Sequence, residues 1–244
     1  MDAIFTFHSL DKENTVLSYP PAAFRMFLDV LEEERVRVVP IRELIDRPVA
    51  DGPRAVLTFD DGFRSVHTEA LPLLAQRRLP AVLYVVSSWV GKDNSWPSQP
   101  ATITRGPLMD WNEIREWAAA GLEVGSHSAN HVPLRGTNEP RWRAEIEDSR
   151  KCIEDKVGSA VRSFAYPYGV FDDGAVARVA RHYDNAVTTV MDYVRGSDPY
   201  RLPRIDTFYL RSPARHRSLF GPRARAYIRV RAWLRRLKAI TVQP

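Results

Sequence analysis

A chain of 244 residues with 44% apolar and 10% aromatic residues is long and apolar enough for a sizeable core, which excludes a disordered class. One cysteine excludes an internal disulfide, and no apolar run approaches the roughly 20 residues that span a bilayer. The net charge of +5 is uneven: no acid follows Asp206, ten basic residues lie between Arg211 and Lys238, and the part before them carries a net −5.

The first residues, MDAIFTFHSLDKENT, have neither a basic segment nor a long apolar one, so they are not read as a secretory leader. With the lone cysteine this leads to an expected cytoplasmic, reducing location, peripheral to the inner membrane if the basic tail binds there. Short apolar runs rich in β-branched and aromatic residues then recur: AIFTFH (3–8), RVRVVP (35–40), RAVLTFD (54–60), AVLYVV (81–86), LEVGSH (122–127), RSFAYP (162–167) and NAVTTV (185–190). Such runs suit strands covered on both faces. Segments 21–34, 68–78, 111–121, 141–158 and 172–183 read as helices, and PYRLPRID (199–206) as the last strand. The alternation predicts parallel β-α units in an α/β fold, a distorted (β/α) barrel of seven or eight units rather than a doubly wound sheet. One domain over 1–210 and a basic amphipathic tail over 211–244 are expected.

In such a barrel the chemistry sits at the C-terminal ends of the strands. His8, Asp60, Asp61, His127 and the stretch Tyr166 to Gly169 end these runs. His127 and His131, four apart in GSHSANHVPL, can meet one cation, although HxxxH alone is weak evidence. Adjacent Asp60 and Asp61 repel unless a cation shares the site. One of them as ligand and the two imidazoles suit zinc or a similar divalent ion, and the other carboxylate could act as general base. In FAYPYG, Pro167 and Gly169 bracket Tyr168, whose main-chain N–H could face a developing oxyanion, although Pro-Tyr-Gly alone is only a turn.

TFDDGF, HSANH and FAYPYG, in that order, resemble the first three motifs of the polysaccharide deacetylases, carbohydrate esterase family 4, whose domain is the NodB-homology fold. The resemblance covers roughly residues 1–206 and implies a distorted (β/α) barrel that removes acetyl groups from N-acetylated sugars with a metal ion. It implies Asp60 as base, Asp61, His127 and His131 as metal ligands, and the Tyr168 N–H as oxyanion donor. Zinc is the expected ion, with cobalt, nickel or iron as alternatives. The early Phe-His-Ser pattern further resembles the exopolysaccharide-modifying branch.

Two departures stand out. Ala165 occupies the position, two residues before Pro167, where much of the family has an arginine paired with the base; Arg204 is the expected replacement, with Arg201 near it. The late Leu-x-x-His motif is missing, because His216 follows Leu210 by six residues, and His8 is the expected proton donor instead. An O-acetyl esterase, another amide hydrolase on the same site, or a silent glycan-binding protein are the competing readings.

Cys152, His67 and His182 read as packing or solvated residues on helices, while Trp111, Tyr166, Trp89 and Trp96 could border a sugar groove or pack the core. In the tail, Tyr227, Val230, Leu234 and Leu237 form an amphipathic stripe. It is expected to dock on the acidic barrel, with anionic lipid, an anionic glycan or an acidic partner as alternatives. No aromatic-basic interleaving points to nucleic acid, and none is expected as partner.

Overall fold

The computed structural model describes residues 1–46, 51–196, 198–216 and 218–241. The apolar runs become β1 (Asp2–Phe7), β2 (Arg37–Val38), β3 (Arg54–Phe59), β4 (Val82–Val85), β5 (Glu123–Ser126), β6 (Ser163–Ala165), β7 (Asn185–Val187) and β8 (Ile205–Asp206). All pair in parallel, in the order β7-β6-β5-β4-β3-β1-β8, with β2 also on β3. An isolated parallel bridge from Val187 to Leu202 brings the approach to β8 against β7, so the sheet curls into a distorted barrel.

Side chains alternate across each strand, which separates two apolar clusters. Phe5, Phe7, Leu57 and Phe59 lie in the large cluster beneath the helices. Ile4, Val56, Val82, Tyr84, Ala165 and Val187 gather inside the barrel. Below them the buried Arg54 guanidinium pairs with Asp2 at 2.7 Å. Above them the inward positions turn polar, at Thr6 and Thr58 and then at the strand ends.

The helices are α1 (Pro21–Glu33), α2 (Ile41–Asp46), α3 (Arg64–Glu69), α4 (Leu71–Arg77), α5 (Trp111–Ala119), α6 (Glu139–Trp142), α7 (Ser149–Val157), α8 (Asp173–His182) and α9 (Pro222–Thr241). Helix α1 opens on Pro21, whose missing N–H is no loss there, and buries Phe24, Phe27, Leu28 and Leu31 at helical spacing. Asp110 and Glu113 close a capping box on α5, and Asp172 caps α8.

Three helical expectations change. The segment expected over 68–78 starts earlier, at Arg64, and divides at Ala70 because Pro72 must sit in the first turn of a new helix. The segment expected over 141–158 contains a π-helical stretch, Arg143–Asp148, between α6 and α7. Of the stripe expected on the tail, Tyr227 lies against the barrel beside Ile228, and the rest points elsewhere. Ile228 is buried and Tyr227 donates to the carbonyl of Tyr209, whereas Val230, Leu234 and Leu237 are exposed. Among the described residues no helix is long and apolar enough to cross a membrane.

Candidate metal centre and active site

The C-terminal ends of β1, β3, β5 and β6 carry His8, Asp60–Asp61, His127 and the Tyr166–Gly169 turn to one end of the barrel. Asp61 Oδ1 lies 3.6 Å from His127 Nε2 and 3.4 Å from His131 Nε2, and the two nitrogens are 3.2 Å apart. A tetrahedral ion with bonds of about 2.1 Å holds its ligands about 3.4 Å apart, which is this triangle. His127 donates from Nδ1 to the carbonyl of Ala165 at 2.8 Å, so its Nε2 lone pair faces the other two atoms. A hydrogen bond between the imidazoles would leave Asp61 Oδ1 buried without a partner, as it stands. A cation fits this donor set.

The charges point the same way. Burial pushes the Asp61 carboxyl above its ordinary range, despite opposing contributions from His8 and His127. Burial, reinforced by His127, holds His131 well below the usual imidazole value, which keeps it neutral and able to ligate at neutral pH. A cation there would favour the carboxylate and the free imidazole together.

Asp60 is set differently. Arg204, just before β8, reaches across the barrel and donates from Nη1 to Oδ1 and from Nη2 to Oδ2, each at 2.7 Å. Its Nε donates to the Thr188 carbonyl, and Nη1 also meets the hydroxyls of Thr6 and Thr58. Burial raises the Asp60 carboxyl, but the Arg204 charge, His127 and the Arg204 hydrogen bonds outweigh it and hold it well below the usual range. Burial likewise opposes the Arg204 charge, and Asp60 more than restores it. His8 Nε2 stands 4.0 Å from Asp60 Oδ2, with its side chain a quarter exposed. Arg201 lies elsewhere, paired with Asp198 and Asp173 on the surface.

The backbone here is unusual. Asp61, Ser128, His131 and Tyr168 all have positive φ, between 53° and 71°, conformations that need neighbours to impose them. Glu145, carried inward by the π-helical stretch, accepts hydrogen bonds from the amides of Ala129 and Asn130 and from the Asn130 side chain. Ser98 donates to the His131 carbonyl, and the His131 ring lies between Trp96 and Tyr168, 4.4 Å from each. Trp96 Nε1 donates to the Tyr168 hydroxyl. A Cβ on Gly169 would meet Thr189 Oγ1 at 2.0 Å, so this turn requires glycine.

Tyr166 is buried and stacks on Phe171, so it borders no groove, and Trp111 packs against the core. His216 is buried and bonded to Tyr19; His67 pairs with Glu116 and His182 with Glu147. Cys152 is half-buried on α7, and burial pushes its thiol up, away from nucleophilic character. Thr6, Thr58 and Glu145 escaped sequence reasoning. A cavity of about 670 Å³ opens at the other end of the barrel, among Val39, Val56, Val82 and Leu122, far from this chemistry.

A parallel barrel with a buried Asp-His-His trio at its strand ends is the frame of a metal-dependent hydrolase. Residues 48–186, more than half of the chain, match the polysaccharide deacetylase family, and the chain belongs to it. The Bacillus subtilis (strain 168) protein YxkH, named for the same family, is 22% identical over 224 residues, 89% of this chain and 74% of that protein. A poly-beta-1,6-N-acetyl-D-glucosamine N-deacetylase of Escherichia coli (strain K12) is 37% identical over 181 residues. That match covers 62% of this chain and 27% of the Escherichia coli protein. The structure of IcaB from Ammonifex degensii shares the fold with a TM-score of 0.73 at 23% identity, covering 89% of this chain and 97% of that one.

Proposed function

We propose that this chain hydrolyses the acetamide of an N-acetylated amino sugar in an oligo- or polysaccharide, giving acetate and a free amine. The observation that carries the reading is one pocket holding two carboxylates with different surroundings. Asp60 is kept ionised by Arg204, and Asp61 Oδ1 is buried without a hydrogen-bond partner beside two imidazoles. Kinship to the Escherichia coli relative, whose name specifies an N-acetylated glucosamine polymer, supports the choice of bond.

Asp61, His127 and His131 would hold the ion, for which their nitrogen and carboxylate donors favour zinc. A divalent ion there supplies Lewis acidity to the acyl oxygen and makes water easier to deprotonate. Asp60 accepts the proton of the attacking water, while Arg204 holds both carboxylate oxygens in place. The Tyr168 N–H donates to the acyl oxygen as it gains charge. In support, the Pro167 carbonyl turns back to accept from Val170, and across a trans peptide the Tyr168 N–H must point the other way. His8, the partly exposed member, gives its proton to the leaving nitrogen as the C–N bond breaks. A cavity of about 130 Å³ that begins at Ser9, the residue after His8, and includes Asp11, Phe63, Ser65 and Arg105, offers polar groups for sugar hydroxyls.

The test is acetate release from N-acetylglucosamine oligomers and from O-acetylated sugars, before and after chelation, with Asp60→Asn as control. Release from the N-acetyl substrates that stops on chelation and in Asp60→Asn is expected. Turnover indifferent to both treatments would end the proposal, and turnover of O-acetyl sugars alone would make the protein an esterase.

A further inference from the structure

Helix α9 has two apolar faces, and the barrel uses one of them. Ile228 is buried and Tyr227 and Ala232 pack beside it. Arg231 lies over the rings of Tyr209 and Tyr227, and Arg235 pairs with Asp206 at 3.1 Å. At about 100° per residue, Val230, Trp233 and Leu234 fall on the opposite side. They are 55%, 59% and 42% exposed, and Trp233 alone of the six tryptophans is exposed. None of the three is among the residues of α9 packed against the core.

The same helix carries seven basic residues and no acid, and Arg223 and Arg229 are exposed. We propose that the outer face of α9 docks on an anionic lipid surface, with Trp233 and its neighbours entering the headgroup boundary and the arginines meeting lipid phosphates. An exposed tryptophan among aliphatic residues, edged by arginine, is the composition of an interfacial helix. The same face of a second copy is a poor occupant, because it would bring two sets of arginines together. The contact from Arg235 to Asp206, at the C-terminal end of β8, sets the distal part of the helix at the same end of the barrel as His8 and Asp60. This inference stands apart from the proposed chemistry, since it is read without turnover.

The experiment sediments the full chain with phosphatidylglycerol-containing vesicles and, separately, with phosphatidylcholine vesicles. Sedimentation with the anionic vesicles and a blue shift of tryptophan emission that Trp233→Phe removes are the expected results. Val230→Ser/Trp233→Ser should lower the partition coefficient by about tenfold or more, with the thermal melt unchanged. Arg223→Glu/Arg229→Glu should lower it too. Three results would overturn the proposal: no preference for anionic vesicles, binding unaffected by Val230→Ser/Trp233→Ser, or a lipid-free dimer that those substitutions dissolve.

Discussion

The Nδ1 hydrogen of His127 is committed to the carbonyl of Ala165, so the ring can offer only Nε2 to a cation. The arginine expected at Ala165 is absent, yet it is the Ala165 backbone that serves His127, and the side chain there does not bear on that contact. Added zinc should therefore stabilise the chelated protein, by about 2.7 kcal/mol at a hundred times the dissociation constant, and raise its melting temperature. In His131→Ala the rise should be lost. Calorimetry with metal analysis reads both.

Arg204→Met strands the buried Asp60 charge, for which the expected cost is about 3–5 kcal/mol with loss of activity. Adding Asp60→Asn should recover most of the stability in urea melts and none of the turnover. A double variant as unstable as Arg204→Met would assign the arginine to packing instead.

His8→Ala should lower kcat on an acetamide by roughly a hundredfold or more, with a smaller change in KM. An activated ester such as p-nitrophenyl acetate has a leaving group that needs no proton. On it the variant should approach the parent rate, and an equal loss on both substrates would remove His8 from proton donation.

Glu145→Ala leaves the amides of Ala129 and Asn130 without acceptors inside the protein. About 1–3 kcal/mol of stability per orphaned group should disappear. Metal affinity should fall about 10–100-fold because the His131 loop loses its anchor. Melts and metal titration give the two numbers.

Glu123, bonded to Ser163 at the foot of β5, has its carboxyl pushed up by burial. Its folded value lies above its unfolded one, so the stability it confers is complete below about pH 4 and fades as pH rises through the folded value. Glu123→Gln keeps an acceptor for Ser163 and has no charge to bury. The stability difference between variant and parent should grow in the variant's favour from pH 4 to pH 8, and a constant difference would contradict this.

The strands were legible because a strand buried on both faces leaves a continuous apolar run, and the polar residues that break those runs mark the chemical end of the barrel. Asp60, Asp61 and His127 were visible for that reason, and His131 by its spacing from His127. Thr6 and Thr58 were not, since a threonine inside such a run reads as one more β-branched residue. Glu145 was hidden by the π-helical stretch, which no period of 3.6 anticipates. The tail misled differently: Tyr227 and Ile228 are adjacent, and a helical wheel cannot say which of two apolar stripes meets the barrel. Only the docked structure separates Ile228 from Val230.

The last step of closing the barrel has a temporal consequence. The trio that fits an ion is complete by residue 131, while the guanidinium that meets Asp60 arrives 144 residues after it in the chain. A protein emerging from the ribosome thus exposes Asp60, Asp61, His127 and His131 long before Asp60 can meet Arg204. On the proposed mechanism, a chain ending before Arg204 would carry the residues of the trio and lack the counter-charge of its base, and should be inert.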